Sequence, residues 1–312
     1  MVETLEKKSK LIYRGKVLPG AGDKDVFPYL PSEELVEMVN LSIALERPLL
    51  LQGEPGCGKT QLAQAVAFEL DLDYFCWNIK STSRAQDGLY TYDNLARLRD
   101  SQLLTFNQIA PEDKAGVSKP ESYLSWGELG KAFRSEQRAV LLIDEIDKAG
   151  LDFPNDLLLE LEQKRFKVPE INQEVIAKYP PIIFITSNQE QDLSNTFLRR
   201  CLFHPIEFPD QARLIEIVEA HFGLNKDQEL VTKAVKRFTE LRESLKYELG
   251  GTGKQVSTSE LIDWFKVLRS HPEDQILSQL QKNDRLPFLG VLLKTWEEHE
   301  RYLKQLSEQE NE

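Results

Sequence analysis

Residues Gly53-Glu54-Pro55-Gly56-Cys57-Gly58-Lys59-Thr60 carry the clearest chemistry in this 312-residue chain. They fit the spacing GxxxxGK[ST], and the context is right for it. A short apolar run, Leu49-Leu50-Leu51, precedes them, and a helix-period pattern of Leu62, Ala63, Ala65, Val66 and Phe68 follows. Strand, glycine loop, helix is the setting in which this spacing holds phosphate. Glycines let backbone amides close around phosphate oxygens, and a helix beginning near Gly58 adds the positive end of its dipole. Lys59 brings a point charge to the β- and γ-phosphates, and the Thr60 hydroxyl is a ligand for Mg2+. The candidate ATP-binding set runs from Gly53 through Gln61.

Val140-Leu141-Leu142-Ile143-Asp144-Glu145 offers the other half of such a site. A carboxylate at the C-terminal end of a buried strand faces the crevice where phosphates lie. Asp144 can hold magnesium through water, and Glu145 can polarise an attacking water. An acidic pair after a strand also caps a following helix; its pairing with the glycine loop makes it a candidate for ATP hydrolysis.

The elements that must position these residues follow from periodicity. Ser32 with Glu33 and Glu34 starts a helix through Leu35, Val36, Val39 and Ile43. Further strands are expected at 74–79, 139–143, 181–186 and 203–208, with a short strand or hairpin arm at 165–168. Helices are expected at 153–161 and 193–200. Strands that are apolar on both faces and alternate with helices predict a parallel sheet covered on two sides. Residues 101–125, interrupted by Pro111 and Pro120, read as an excursion from this core. After Pro209 the strand signal stops, and helix patterns cover 210–222, 226–249, 257–269, 273–282 and 287–306. The expected organisation is an arm at 1–31, an α/β core at 32–209, a helical domain at 210–306 and an acidic tail at 307–312.

Composition sets outer limits. With 39 Lys+Arg against 51 Asp+Glu the net charge is −12, which disfavours a sequence-blind nucleic-acid binder. The basic residues Lys7, Lys8, Lys10, Arg14 and Lys16 are dispersed and read as a solvated arm. Cys57, Cys76 and Cys201 form no CxxC pair, and the four histidines show no zinc spacing. There is no GxSxG elbow, apolar leader or membrane-length apolar run, so a soluble cytoplasmic protein is expected. Gly250-Gly251-Thr252-Gly253-Lys254 is glycine-rich but lacks a preceding strand, and reads as a connection between helices. Cys57 lies at a helix start, where a thiol can become reactive; the alternative is a variable loop position that tolerates a small side chain.

At four places the chain resembles the AAA+ ATPases, and more narrowly their MoxR-like branch: GEPGCGKT at 53–60, VLLIDEID at 140–147, IIFITSN at 182–188 and LRRCLFH at 198–204. The resemblance covers roughly residues 20 to 270. It implies a sheet in which the first strand lies between the fourth and fifth, a helical lid, and a homo-oligomeric ring, usually a hexamer, with ATP at subunit interfaces. Carried over, Asn188 matches the polar sensor residue that orients water, although an Asn ending a strand in a turn is the plainer alternative. Arg200, with Arg199 beside it, matches the arginine finger offered to a neighbour's γ-phosphate; Arg–Arg at a helix end can also simply offset the helix dipole. Lys164, Arg165 and Lys167 fall where the family has a hairpin that often faces the pore or a partner, or else they form a solvent-exposed face. The family's lid arginine is missing, because Glu260 stands at that position, with Arg199 and Lys254 as candidate replacements. The implied activity is Mg2+-dependent ATP hydrolysis that remodels a protein client, such as a von Willebrand factor A domain protein. A nucleotide-gated scaffold with negligible turnover is the alternative, and a DNA-acting ring motor a more remote one.

Overall fold

The computed structural model describes residues 11–16, 28–105, 119–224, 229–248, 255–281 and 285–309. Most of the expected arm, part of the 101–125 excursion, the Gly250–Lys254 connection and the end of the acidic tail lie outside them.

The chain divides into two units. The first contains Pro31–Gly53 and Lys59–Pro205 together with residues 11–16. Its described strands are β1 (Leu49–Gln52), β2 (Asp73–Asn78), β3 (Tyr90–Tyr92), β4 (Leu124–Trp126), β5 (Ala139–Asp144), β6 (Arg165–Val168), β7 (Gln173–Ile176), β8 (Ile182–Ser187) and β9 (Leu202–Pro205). Five of them form a parallel sheet in the order β2-β5-β8-β1-β9. The expected parallel sheet is present, with β1 between the fourth and fifth strands of that sheet. Its central members are buried along nearly their whole length: every residue of β8, and all of β5 except Asp144. Such strands cannot alternate polar and apolar residues, so they read as continuous apolar runs.

Register decides what this sheet is for. Gln52 pairs with Ser187, Ile143 with Ile185 and Asn78 with Asp144. The carboxyl ends of β1, β5 and β8 therefore stop at one level. Residues 53, 144–145 and 188 must leave the sheet together, at the edge where open α/β sheets carry their ligands. The helices Glu33–Leu45 and Lys59–Glu69 pack on this framework; the first is capped by Ser32, whose Oγ accepts from Leu35 N at 3.2 Å.

Several elements differ from expectation. The region 153–161 is two short helices, Phe153–Asp156 and Leu158–Gln163, because Leu157 (φ −89°, ψ −9°) departs from ideal helical angles between them. The arm at 165–168 is one half of an antiparallel hairpin, β6 with β7. Arg165 and Lys167 are exposed on it, whereas Lys164 is not part of a solvated face. It closes the preceding helix in the left-handed region (φ 54°), donates to Leu161 O, and burial pushes its ammonium down to about 8. Helices at Ala85–Leu89, Asn94–Thr105 and Glu128–Arg134, and the β3–β4 ribbon, carry no clear pattern in sequence.

The second unit comprises residues 28–30, Glu54–Gly58 and the described residues from Ile206 onward. Helices Gln211–Phe222, Glu229–Glu248, Thr258–Leu268 and Glu273–Gln281 enclose a core around Phe238, Trp264 and Phe265. Trp264 is fully buried, and its indole nitrogen donates to Pro287 O at 2.8 Å. The expected helix at 287–306 is corrected: Phe288 turns left-handed (φ 54°), a 3-10 turn covers Leu289–Val291, and the helix proper is Trp296–Gln309. Thr295 and Glu298 set that start, with Glu298 N donating to Thr295 Oγ1 and Thr295 N to Glu298 Oε2 at 3.2 and 3.0 Å.

Candidate active site

Within the first unit, the structure gathers Gly53, Lys59, Thr60, Asp144, Glu145 and Asn188 at the carboxyl edge of the sheet. Gly53 continues β1 with N–H to Ser187 O at 3.4 Å. Lys59, the first residue of its helix, is 6% exposed, and its Nζ donates to Gly53 O at 2.7 Å. This bond bends the lysine back across the loop, with its charge beside the backbone that begins the glycine stretch. Gln61 lies one residue beyond Thr60 and is exposed.

Thr60 and Asp144 meet as hard oxygen donors. The Thr60 hydroxyl is 3.1 and 3.3 Å from the two Asp144 carboxylate oxygens. Among the described residues no group of three or more His, Cys, Asp or Glu is placed so as to hold a metal ion. One hydroxyl and one carboxylate, without a full protein cage, is the donor set that suits Mg2+, which keeps several waters and takes phosphate oxygens as its other ligands. The residues present therefore fit that ion.

Thr186, a fully buried side chain whose part in the site is invisible in sequence, ties the Asp144 carboxylate to the Glu145 backbone. Its hydroxyl donates to Asp144 Oδ1 at 2.6 Å and accepts from Glu145 N at 2.8 Å. Glu145 adopts φ 58°, ψ 53°, a left-handed conformation that costs a non-glycine residue on the order of 1 kcal/mol or more. The bond from its own N–H to Thr186 secures that turn. The Glu145 carboxylate accepts from Asn188 Nδ2 at 3.0 Å and is ion-paired with Lys148, whose ammonium it holds above the usual lysine range. Asp147, 2% exposed, holds the loop that carries Asn188, accepting from the backbone N–H groups of Asn188 and Glu190, each at 2.9 Å. Asp147 stands inside the acidic motif in sequence, but only the fold reveals which loop it ties down.

Thr186→Val keeps the side-chain shape and removes the hydroxyl. It leaves the buried Glu145 N–H without this acceptor and is expected to lower stability by about 1–3 kcal/mol in denaturant unfolding. An unchanged midpoint contradicts the bracing role.

Arg199 and Arg200 are not brought into this cluster. Arg199 is exposed, while Arg200 donates to Glu162 Oε2 at 3.1 Å and to Thr196 O at 3.0 Å. Their backbone is pinned by Arg47, whose guanidinium donates to the carbonyls of Arg199, Arg200 and Cys201 at 2.5, 3.2 and 3.1 Å. Cys201 is buried, and burial pushes its thiol up to about 12.

Residues Glu54, Pro55, Gly56, Cys57 and Gly58 are grouped with the second unit. Gly56 (φ 74°) and Gly58 (φ 93°) occupy backbone conformations that L side chains rarely adopt. A Cβ at Gly56 would strike Ser257, and one at Gly58 would meet the Tyr29 ring. Cys57 is 8% exposed, so it is a packed thiol rather than an open one. Glu260, at the position of the family's lid arginine, is the third residue of its helix and accepts from Ser257 N at 2.7 Å. The reversed charge is thus a capping box at a helix start, where a carboxylate is favoured. Of the two candidate replacements, Arg199 belongs to the first unit and Lys254 lies outside the described residues.

No helix among the described residues is long and apolar enough to cross a membrane. Residues 48–201 match the family model of the AAA domain (dynein-related subfamily). Protein NorQ of Paracoccus denitrificans (strain Pd 1222) is 27% identical over 217 residues, spanning 68% of this chain and 71% of NorQ. Among solved structures, a point mutant of Thermotoga maritima RuvB is similar with a TM-score of 0.44 and 17% identity, over 78% of this chain and 72% of that one. The matched family segment opens one residue before β1, takes in the glycine loop, Asp144-Glu145 and Asn188, and closes at Cys201. With those motifs on a parallel sheet of this order, residues 48–201 are a domain of the AAA family.

Proposed function

We propose that this protein is a Mg2+-dependent ATPase of the MoxR-like branch, acting in the cytoplasm as a homo-oligomeric ring of six subunits to remodel a protein client. In this reading residues 32–209 are the nucleotide-binding core and 210–306 the lid. The observation that carries it is the Thr60–Asp144–Thr186–Glu145–Asn188 network, which sets an oxygen pair beside a fixed carboxylate at one sheet edge. The likeness to NorQ supports the branch.

Hydrolysis of this kind needs positioning and charge neutralisation more than covalent chemistry. Gly53–Gln61 is one continuous stretch that binds the triphosphate through backbone amides and Lys59. Thr60 and Asp144 would hold Mg2+, which when bound would neutralise phosphate charge. Glu145 orients a water and accepts its proton, while Asn188 fixes the carboxylate. Arg200, and behind it Arg199, completes a neighbour's site. A client carrying a von Willebrand factor A domain fits the family; the net charge of −12 weighs against a DNA-acting motor.

A second reading has its own support. Lys148 and Asn188 both occupy the Glu145 carboxylate, and Glu260 is committed to a helix cap. Those engagements favour a nucleotide-gated scaffold that turns over little. Steady-state phosphate release with and without Mg2+ separates the two: Mg2+-dependent release supports the ATPase, and tight ATP binding without release supports the scaffold.

Arg200→Ala is expected to retain ATP affinity and lose turnover by about 10³-fold, the lower end for an arginine finger. Mixing it with Glu145→Gln subunits regains phosphate release, because some interfaces then pair an intact Arg200 with an intact Glu145. Parent-level turnover in Arg200→Ala alone contradicts the assignment.

A further inference from the structure

Glu54 poses an electrostatic problem. A phosphate-binding loop works through backbone N–H groups and cationic charge, and a carboxylate within it repels the anion the loop serves. Arg242, in the same unit as Glu54 and on the helix Glu229–Glu248, answers it: its Nη2 is ion-paired with Glu54 Oε2. Arg242 is 8% exposed and held on two other sides. Its Nη1 donates to Val256 O, and its Cζ stands 3.5 Å from the centroid of the Phe208 ring. A guanidinium fixed by a carbonyl and an aromatic face presents its remaining edge in one direction, suiting the planar fork geometry that arginine offers a carboxylate.

We propose, resting on the nucleotide-binding function above, that Arg242 is a positioning residue of the glycine loop. It neutralises Glu54 and fixes the segment that Glu54 begins, so that the loop accepts a polyphosphate.

The test measures MgATP affinity of the full-length chain by calorimetry, with thermal unfolding alongside. Arg242→Met takes away the cation opposite Glu54 and weakens MgATP binding roughly tenfold. Adding Glu54→Gln removes the repelling carboxylate, and the double variant recovers to within about threefold of the parent. Glu54→Gln alone releases the Arg242 charge toward the phosphates and binds MgATP more tightly than the parent, with a steeper loss on adding salt. That single change at an exposed position keeps the question open to test if Arg242→Met does not fold. Affinity loss in Arg242→Met that Glu54→Gln fails to rescue, or weaker binding by Glu54→Gln alone, overturns the proposal in favour of a purely structural arginine. A parent chain that binds no MgATP overturns the nucleotide-binding function itself, whereas a parent that binds and an Arg242→Met variant that binds equally well overturns only the role of Arg242.

Discussion

Lys59→Ala is expected to abolish ATP binding over the range in which the parent saturates, a loss of at least about 100-fold. Truncating one partner of a desolvated charge pair costs about 2–5 kcal/mol, and the phosphate chain has several negative charges to leave uncompensated. The lysine is 6% exposed and bends back to Gly53 O, a position that a solvent-facing cation cannot take over. The fold should survive, because alanine is the better helix former at the start of the Lys59–Glu69 helix. Calorimetry with a far-ultraviolet spectrum and a melting curve checks both halves. ATP affinity in Lys59→Ala within a few-fold of the parent contradicts the placement of the phosphates.

Glu145→Gln is the second large effect, of a different kind. The amide keeps the size and one carbonyl oxygen, so Asn188 retains an acceptor and the turn braced by Thr186 is undisturbed. Nucleotide affinity is expected to stay within about threefold of the parent. What disappears is the ability to accept a proton from water, and turnover falls by about 10² to 10⁴, the range for a lost general base. The pairing with Lys148 is lost too, which adds no activity because the base itself is gone. ATP should then hold the chain in its assembled form, visible as a larger species in sedimentation. Turnover at the parent rate places the base elsewhere.

What sequence could disclose depended on whether the partners were local. The glycine loop and its flanks were legible because their residue types and spacing fall within one short run, 53–60, between a strand and a helix. β5 and β8 were legible because double-sided burial leaves a continuous apolar run. Asp144 and Glu145 followed from the end of such a run. The bracing residues were not legible. Thr186 looks like any β-branched strand residue until register sets β8 beside β5. Asp147 reads as the last acid of a motif until its carboxylate is seen capping the Asn188 loop. Arg47 and Arg242 reach residues 152 and 188 positions away, separations that no local pattern encodes. The expected helix at 287–306 erred for a different reason. Leu289, Leu292 and Leu293 keep a helix-like spacing because they face the helical core from and just after a 3-10 turn, which hides the true start marked by the Thr295–Glu298 capping pair.

Arg199 and Arg200 show how a family pattern and local physics coexist. Arg47 satisfies three backbone carbonyls at the end of the short helix, so the backbone there is fixed while the Arg199 side chain is exposed and Arg200 rests on an exposed glutamate. An exposed ion pair of this sort is worth about 0–1 kcal/mol, little enough to be exchanged for a stronger anion. That suits a residue proposed to act on a neighbouring subunit.

Titration of the purified full-length chain with ATP, in the presence and in the absence of Mg2+, addresses the central claim directly. Saturable uptake of about one nucleotide per chain is predicted, tighter with the divalent ion than without it because Thr60 and Asp144 then share a ligand. Absence of heat and of binding for both ATP and ADP, from a chain whose melting curve is cooperative, contradicts it.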